Sequence, residues 1–99
     1  MMLDFDMFDR IGGFDWDEGN IGKNWDKHQV SPFECEGVFF NKPLIAANDE
    51  KHSKNEERYV VLGITRRERL LSIIFTIRGN KIRVISARDM NKKERGWYG

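Results

Sequence analysis

Residues 80–98, NKIRVISARDMNKKERGWY, hold three arginines and three lysines in a chain whose formal net charge is only +1. Arginine stays charged at every physiological pH, and its planar fork matches two phosphate oxygens at once. Arg78, Lys81, Arg83 and Arg88, followed by Lys92, Lys93 and Arg95, are therefore candidates to hold an RNA backbone. The competing reading is a solvated face, or arginines that bridge the carboxylates of the first half. His28, beside Lys27, could take the proton of a ribose 2′-hydroxyl, since imidazole titrates near working pH. A histidine in the last turn of a helix more often packs and caps carbonyls. Glu94 and Tyr98 could transfer protons or stack on bases, although a helix surface and a core edge are commoner places for them. His52 falls in a polar loop and reads as solvated.

Charge is divided along the chain. Residues 1–57 carry 13 acids against 6 bases, and residues 58–99 carry 3 acids against 11 bases. A basic surface on the second half is thus expected, and such surfaces attract nucleic acid or an acidic partner.

Ninety-nine residues with 39% hydrophobic and 33% charged side chains make one globular domain rather than a disordered chain. No run of eighteen apolar residues exists, so neither a membrane span nor a membrane partner is expected. The start, MMLDFDMFDR, is acidic where a signal peptide needs a basic end and an apolar run. Cys35 is the single cysteine, which rules out an intramolecular disulfide and fits a reducing cytoplasm. His28 and His52 lie far apart with no cysteine cluster near them, so neither a metal nor another cofactor is expected.

The elements that must position these groups can be read from period and punctuation. Residues 1–13 read as an acidic tail ending at Gly12-Gly13, and residues 14–99 as the domain. FDW at 14–16 is a short strand candidate. A helix over 18–28 places Ile21, Trp25 and His28 on one stripe, with Asn20, Lys23, Asn24 and Lys27 on the polar side. SPFE at 31–34 signals a second helix: Ser31 as N-cap, Pro32 at the first position, Glu34 completing a capping box. It should run to about Phe39 and bury Phe33, Val38 and Phe39. Trp16 and Trp25 read as core, and Trp97 as a cover for the sheet edge. Residues 41–56 read as polar loop.

The period then becomes two, with strands expected at 58–65, 69–78 and 81–87. Gly79-Asn80 suits a two-residue hairpin turn. That turn pairs Ile77 with Ile82, Phe75 with Val84 and Ile73 with Ser86 on an apolar face. The opposite face receives Arg78 with Lys81, Thr76 with Arg83, Ile74 with Ile85 and Ser72 with Ala87. A two- or four-residue loop at RRER, 66–69, would add Val60, Leu62 and Ile64 to the apolar face. A last helix should start near Asp89 as N-cap. The expected class is α+β, an antiparallel sheet with two N-terminal helices on one face and a C-terminal helix, in the order β-α-α-β-β-β-α.

The segments FDWDEGNIGKNWDKHQVSPFECEGVFFN, DEKHSKNEERYVVLGIT, RLLSIIFTIRGNKIRVISAR and KKERGWY together resemble the BrnT family. Its members are the toxin halves of bacterial type II toxin–antitoxin modules. The resemblance runs from Phe14 to Tyr98. It implies a fold similar to RelE-type ribonucleases and cleavage of RNA without metal. It also implies a BrnA-like antitoxin partner with a ribbon-helix-helix DNA-binding half, so that DNA is met only through that partner. The family's recurrent polar positions fall on Lys23, Lys27, His28, Arg58, Thr76, Arg78, Arg83, Ser86, Arg88, Glu94, Arg95 and Tyr98. Two positions depart: Gln29 stands where glycine is usual, and Gly22 interrupts the first helix at about 1 kcal/mol against alanine.

On this resemblance the expected activity is endoribonuclease action, with the 2′-hydroxyl attacking the adjacent phosphorus. Arg78, Arg83 and Arg88 would neutralise the developing charge. His28 is the first candidate for general base, with Tyr98 and Glu94 as alternatives for proton transfer. The rival class is a non-catalytic binding module that acts only through its antitoxin at an operator.

Overall fold

From residue 58 onward Val, Ile, Leu and Phe predominate, and here the chain lays down its long strands. The structure, a computed structural model, describes residues 12–41, 44–49 and 56–99. In chain order these form β1 (Gly13–Phe14), α1 (Glu18–His28), α2 (Pro32–Phe40), β2 (Ile45–Asn48), β3 (Tyr59–Ile64), β4 (Leu70–Arg78), β5 (Lys81–Asp89) and α3 (Lys92–Tyr98). Their sheet has the order β1-β5-β4-β3-β2. Neighbours are antiparallel except β1, which runs parallel to β5.

The α+β class is as expected, with β2 added inside the stretch read as polar loop. Buried Leu44 and Ala46 anchor β2 to the core. Alanine is a weak strand former, so the alternation there is faint. Residues 1–11 of the expected acidic tail lie outside the described residues. Gly13 opens β1, and the Gly12 N–H donates to the Asn80 carbonyl at 2.6 Å, so the expected tail's last position belongs to the sheet and the one before it is tied to the β4–β5 turn.

The core face of the sheet carries Val61, Leu71, Ile73, Phe75, Ile82, Val84 and Ala87, all nearly or fully buried. Val38, Phe39 and Cys35 of α2 pack onto it. The approach is close: a Cβ on Gly63 would stand 2.5 Å from Val38 Cγ1, so only glycine fits beneath the helix. Ser31 and Glu34 form the expected capping box of α2.

Three expectations about faces are corrected. First, the β3–β4 loop closes between Thr65 and Arg69, whose backbones bond at 2.9 Å, around the three residues 66–68. An odd loop, with Glu68 left-handed at φ 67°, reverses the parity. Val61 therefore faces the core with Ile73, while Val60, Leu62 and Ile64 lie on the other face.

Second, β4 and β5 keep the expected register only from Arg78↔Lys81 to Phe75↔Val84. A bulge then takes up Ile85, and the ladder resumes with Ile74↔Ser86, Ile73↔Ala87 and Ser72↔Arg88. One extra residue swaps the faces beyond it. The swap buries Ala87 and delivers Arg88 to the face that also carries Arg83.

Third, α1 lies along the edge of β5 beyond its short pairing with β1, rather than flat on the sheet. Asn24, expected on the polar side, is buried, and its Oδ1 accepts from the Ala87 N–H at 3.2 Å. Asn20 Nδ2 donates to the Val84 carbonyl at 3.4 Å. These side chains occupy backbone groups that an open edge would leave unpaired. The same rotation turns Trp25 outward, 54% exposed, and Phe33 of α2 is 71% exposed, so neither is core. Trp16 is partly buried against the core.

Candidate functional site

The face opposite α2 carries the arginines in two groups, separated by five residues of β5, or about 16 Å of strand. At the hairpin end, Arg78 and Lys81 face each other across the ladder, and Thr76 faces Arg83. Gly79 takes the left-handed conformation, φ 61°, that the first turn position needs. Arg78 is exposed and approaches Glu56 at 3.4 Å. Lys81 is exposed and makes no ion pair with a described residue. Buried Thr76 donates to the Glu57 carbonyl at 2.8 Å.

Arg83 is more enclosed than its neighbours. Its Nη2 lies 3.4 Å from Asp17 Oδ2 and its Nε 4.0 Å from Asp15 Oδ2. Asp17 is at the same time the N-cap of α1, accepting from the Asn20 N–H at 3.0 Å. Arg83 thus joins the open face to the start of α1. Its Nε is buried without a hydrogen-bond acceptor among the described residues.

At the exit end, Arg88 and Glu94 form a two-pronged pair, Nη1 to Oε1 at 2.7 Å and Nη2 to Oε2 at 3.0 Å. Ser72, buried across the ladder, donates its hydroxyl to Glu94 Oε2 at 3.2 Å. The Asn91 N–H donates to Oε1 at 3.0 Å, completing a capping box for α3. The N-cap is therefore Asn91, not Asp89 as expected, because Asp89 still belongs to β5. Burial pushes the Glu94 carboxyl up, but the Arg88, Asn91 and Ser72 hydrogen bonds outweigh it and hold it below its usual range. The hydrogen bond to Glu94 raises the Arg88 guanidinium further.

A second arginine hub went unnoticed in the sequence. Arg69 donates to Asp89 at 2.7 and 3.1 Å, to Glu34 at 3.0 Å, and to the Gln29 and His28 carbonyls at 2.9 and 3.0 Å. It thereby closes the C-terminus of α1, the capping box of α2 and the end of β5 with one side chain. Nothing within RRER distinguishes it from its neighbours. Ser72 was missed for a similar reason, since it matters through Glu94; Asp17 carries a local N-cap signal, but its pairing with Arg83 is long-range.

The remaining candidates lie on α1 and α3. His28 sits at the exit end, where its charge adds to the Arg69 hydrogen bond that chiefly holds the Asp89 carboxyl low. Among the described residues its ring makes no hydrogen bond to Arg78, Arg83, Arg88 or Glu94. Burial raises the Tyr98 phenol above its usual value. Lys23, Lys27, Lys92 and Lys93 are exposed. Arg95 donates to the Met90 carbonyl at 2.8 Å. Trp97 does not cover the sheet edge; it is 62% exposed, with the Lys93 ammonium 5.1 Å from its ring centre. Burial pushes the Cys35 thiol up to about 12, which leaves it inert. Among the described residues no three His, Cys, Asp or Glu side chains gather to hold a metal, and no helix is long and apolar enough to cross a membrane.

No curated protein matches the chain. The fold is similar to the crystal structure of the Brucella abortus ribonuclease toxin BrnT, with a TM-score of 0.58 and 22% sequence identity over 81% of this chain and 97% of that one. The model of the family described as "Ribonuclease toxin, BrnT, of type II toxin-antitoxin system" matches residues 16–94, which take in α1, α2, the strands β2 to β5, the first turn of α3 and both arginine groups. The chain belongs to the BrnT family of ribonuclease toxins from type II toxin–antitoxin systems.

Proposed function

We propose that this chain is an endoribonuclease that cuts RNA without a metal ion. The ribose 2′-hydroxyl attacks the adjacent phosphorus and the bond to the 5′-oxygen breaks, leaving a 2′,3′-cyclic phosphate and a 5′-hydroxyl. One observation supports this most: Arg88 is immobilised by Glu94 while its own side chain is 38% exposed. Glu94 and the Asp89 carbonyl occupy three of its N–H groups. A guanidinium has five, so two remain for a phosphate oxygen. A donor ordered in advance is worth more to the transition state than a mobile one.

Glu94 then acts through Arg88. Both its oxygens are already engaged and it is held ionised, which suits a positioning residue rather than a proton carrier. Tyr98 is assigned to supply the proton for the departing 5′-oxygen, and His28 to accept the proton of the 2′-hydroxyl. Arg78, Lys81 and Arg83 hold the strand at the hairpin end, and Lys23, Lys27, Lys92, Lys93 and Arg95 add electrostatic attraction around it. The protein acts in the cytoplasm and is restrained by a ribbon-helix-helix antitoxin, through which DNA is reached.

Purified chain freed of antitoxin should cut RNA in the presence of a chelator, with the mass of the new ends matching cyclic phosphate and free hydroxyl. Arg88→Lys should reduce cleavage by about 10²-fold. Abolition by the chelator, or other end groups, would overturn the mechanism. The pairing of Arg78, Arg83 and Arg88 with carboxylates favours a second reading, a non-catalytic partner of the antitoxin at operators. Intact RNA together with full antitoxin binding would select it.

A further inference from the structure

A groove of about 560 Å³ lies between α1, α2 and the β3–β4 turn, with Trp25, Phe33, Gly37, Thr65, Arg66 and Arg67 among its walls. Two large aromatic side chains stand largely exposed on it, Trp25 at 54% and Phe33 at 71%. Isolated exposed apolar residues are ordinary, but two lining one concave surface mark a place where something binds. Gly37 leaves the floor open, since the nearest atom to a Cβ there would be Arg66 Cγ at 3.8 Å.

The charge of the rim decides what fits. Glu34, in the wall, is already committed to Arg69 at 3.0 Å and to its capping box. Arg66 and Arg67 are exposed and make no ion pair with a described residue. The groove therefore offers two aromatic surfaces and two guanidiniums that are unpaired among the described residues. We infer that it is the docking site for the antitoxin, and that the antitoxin segment it receives carries bulky apolar side chains flanked by carboxylates. This rests on the reading of the chain as the toxin half of its module. RNA is disfavoured by position: α2, one wall of the groove, packs on the sheet face opposite Arg83 and Arg88. Occupation would thus leave the candidate RNA face uncovered, so that inhibition by this contact involves a further part of the antitoxin.

The test uses the full chain and the antitoxin of the same module. Binding would be measured by calorimetry for Phe33→Ala and for the double variant Arg66→Glu with Arg67→Glu, with RNA cleavage by the free chain measured alongside. Each variant should weaken antitoxin binding by at least about tenfold, as for loss of an anchor or of paired charge at an interface. Melting temperature and RNA cleavage should stay at the parent level, because these side chains are exposed and lie away from the arginine groups. An acidic, apolar peptide cut from the antitoxin should compete for the groove and lose its affinity to the same variants. Parental antitoxin affinity in both variants would overturn the inference. So would a loss of RNA cleavage with antitoxin binding intact, which would make the groove an RNA surface. If the parent chain cuts no RNA while the variants still lose the antitoxin, the cleavage reading fails and the docking site stands.

Discussion

Arg88 and Glu94 meet through two parallel contacts of 2.7 and 3.0 Å, and this pair pins α3 to the end of β5. The contact exists because the bulge at Ile85 turns Arg88 to the face over which α3 folds, and because Asn91 starts that helix three residues before Glu94. Cap, bulge and ion pair are one arrangement.

That arrangement sets an acid limit on stability. The folded Glu94 carboxyl is held below its usual value of 4.5, so its contribution is present above that pH and lost as pH falls through the depressed value. Glu34 and Asp89, both held low despite burial, shift in the same direction. The melting temperature should be flat from neutral pH down to about 5 and then fall. Glu94→Gln should be about 1–2 kcal/mol less stable at pH 7, a modest figure because water screens the partly exposed Arg88. Its acid slope should be shallower than the parent's; an identical slope would assign the acid limit to Glu34 and Asp89.

Arg83→Lys separates geometry from charge at the hairpin end. RNA cleavage should fall by about 10²-fold, because a point charge cannot reproduce the fork. Seen in the sequence as an open-face residue, Arg83 would affect folding little. Its contacts with Asp15 and Asp17 instead predict a stability loss of about 1 kcal/mol, read as a lower denaturation midpoint. Full growth inhibition by this variant would make Arg83 structural only.

Gly63→Ala tests the seat of α2. A methyl group there collides with Val38 and Leu44, and overpacking of this kind costs about 1–3 kcal/mol. Phe75→Ala, beneath the same helix, removes a fully buried ring 5.1 Å from Phe39 and should cost about 3–5 kcal/mol. Urea unfolding of both variants checks the assignment of the core face.

Gln29→Gly should stabilise the protein. Gln29 ends α1 in the left-handed conformation, φ 55°, while its N–H bonds back to the helix. A side chain at that position costs about 1 kcal/mol relative to glycine. The melting temperature should rise by about 4–8 °C.

Elements with local causes were legible in the sequence. Ser31, Pro32 and Glu34 determine the start of α2 by contacts within four residues, and Gly79-Asn80 determines the turn and the register as far as Phe75. The charge division and the family resemblance also needed no coordinates. What required the tertiary structure was which way side chains face beyond any irregularity. The period of a strand is two, so one residue taken up at Ile85, or one omitted from the loop at 66–68, moves everything after it to the other side. Composition carries no signal for such single-residue steps. The same holds for Asn24, whose amide is polar by type yet buried because an unpaired backbone N–H at Ala87 needs an acceptor. Sequence alone therefore determined which arginines exist and roughly where they fall in the strands. Long-range pairing decided that Arg88 reaches Glu94, that Arg83 reaches Asp17, and that Arg69 is spent on holding the fold, because those carboxylates come within range only once the sheet has closed.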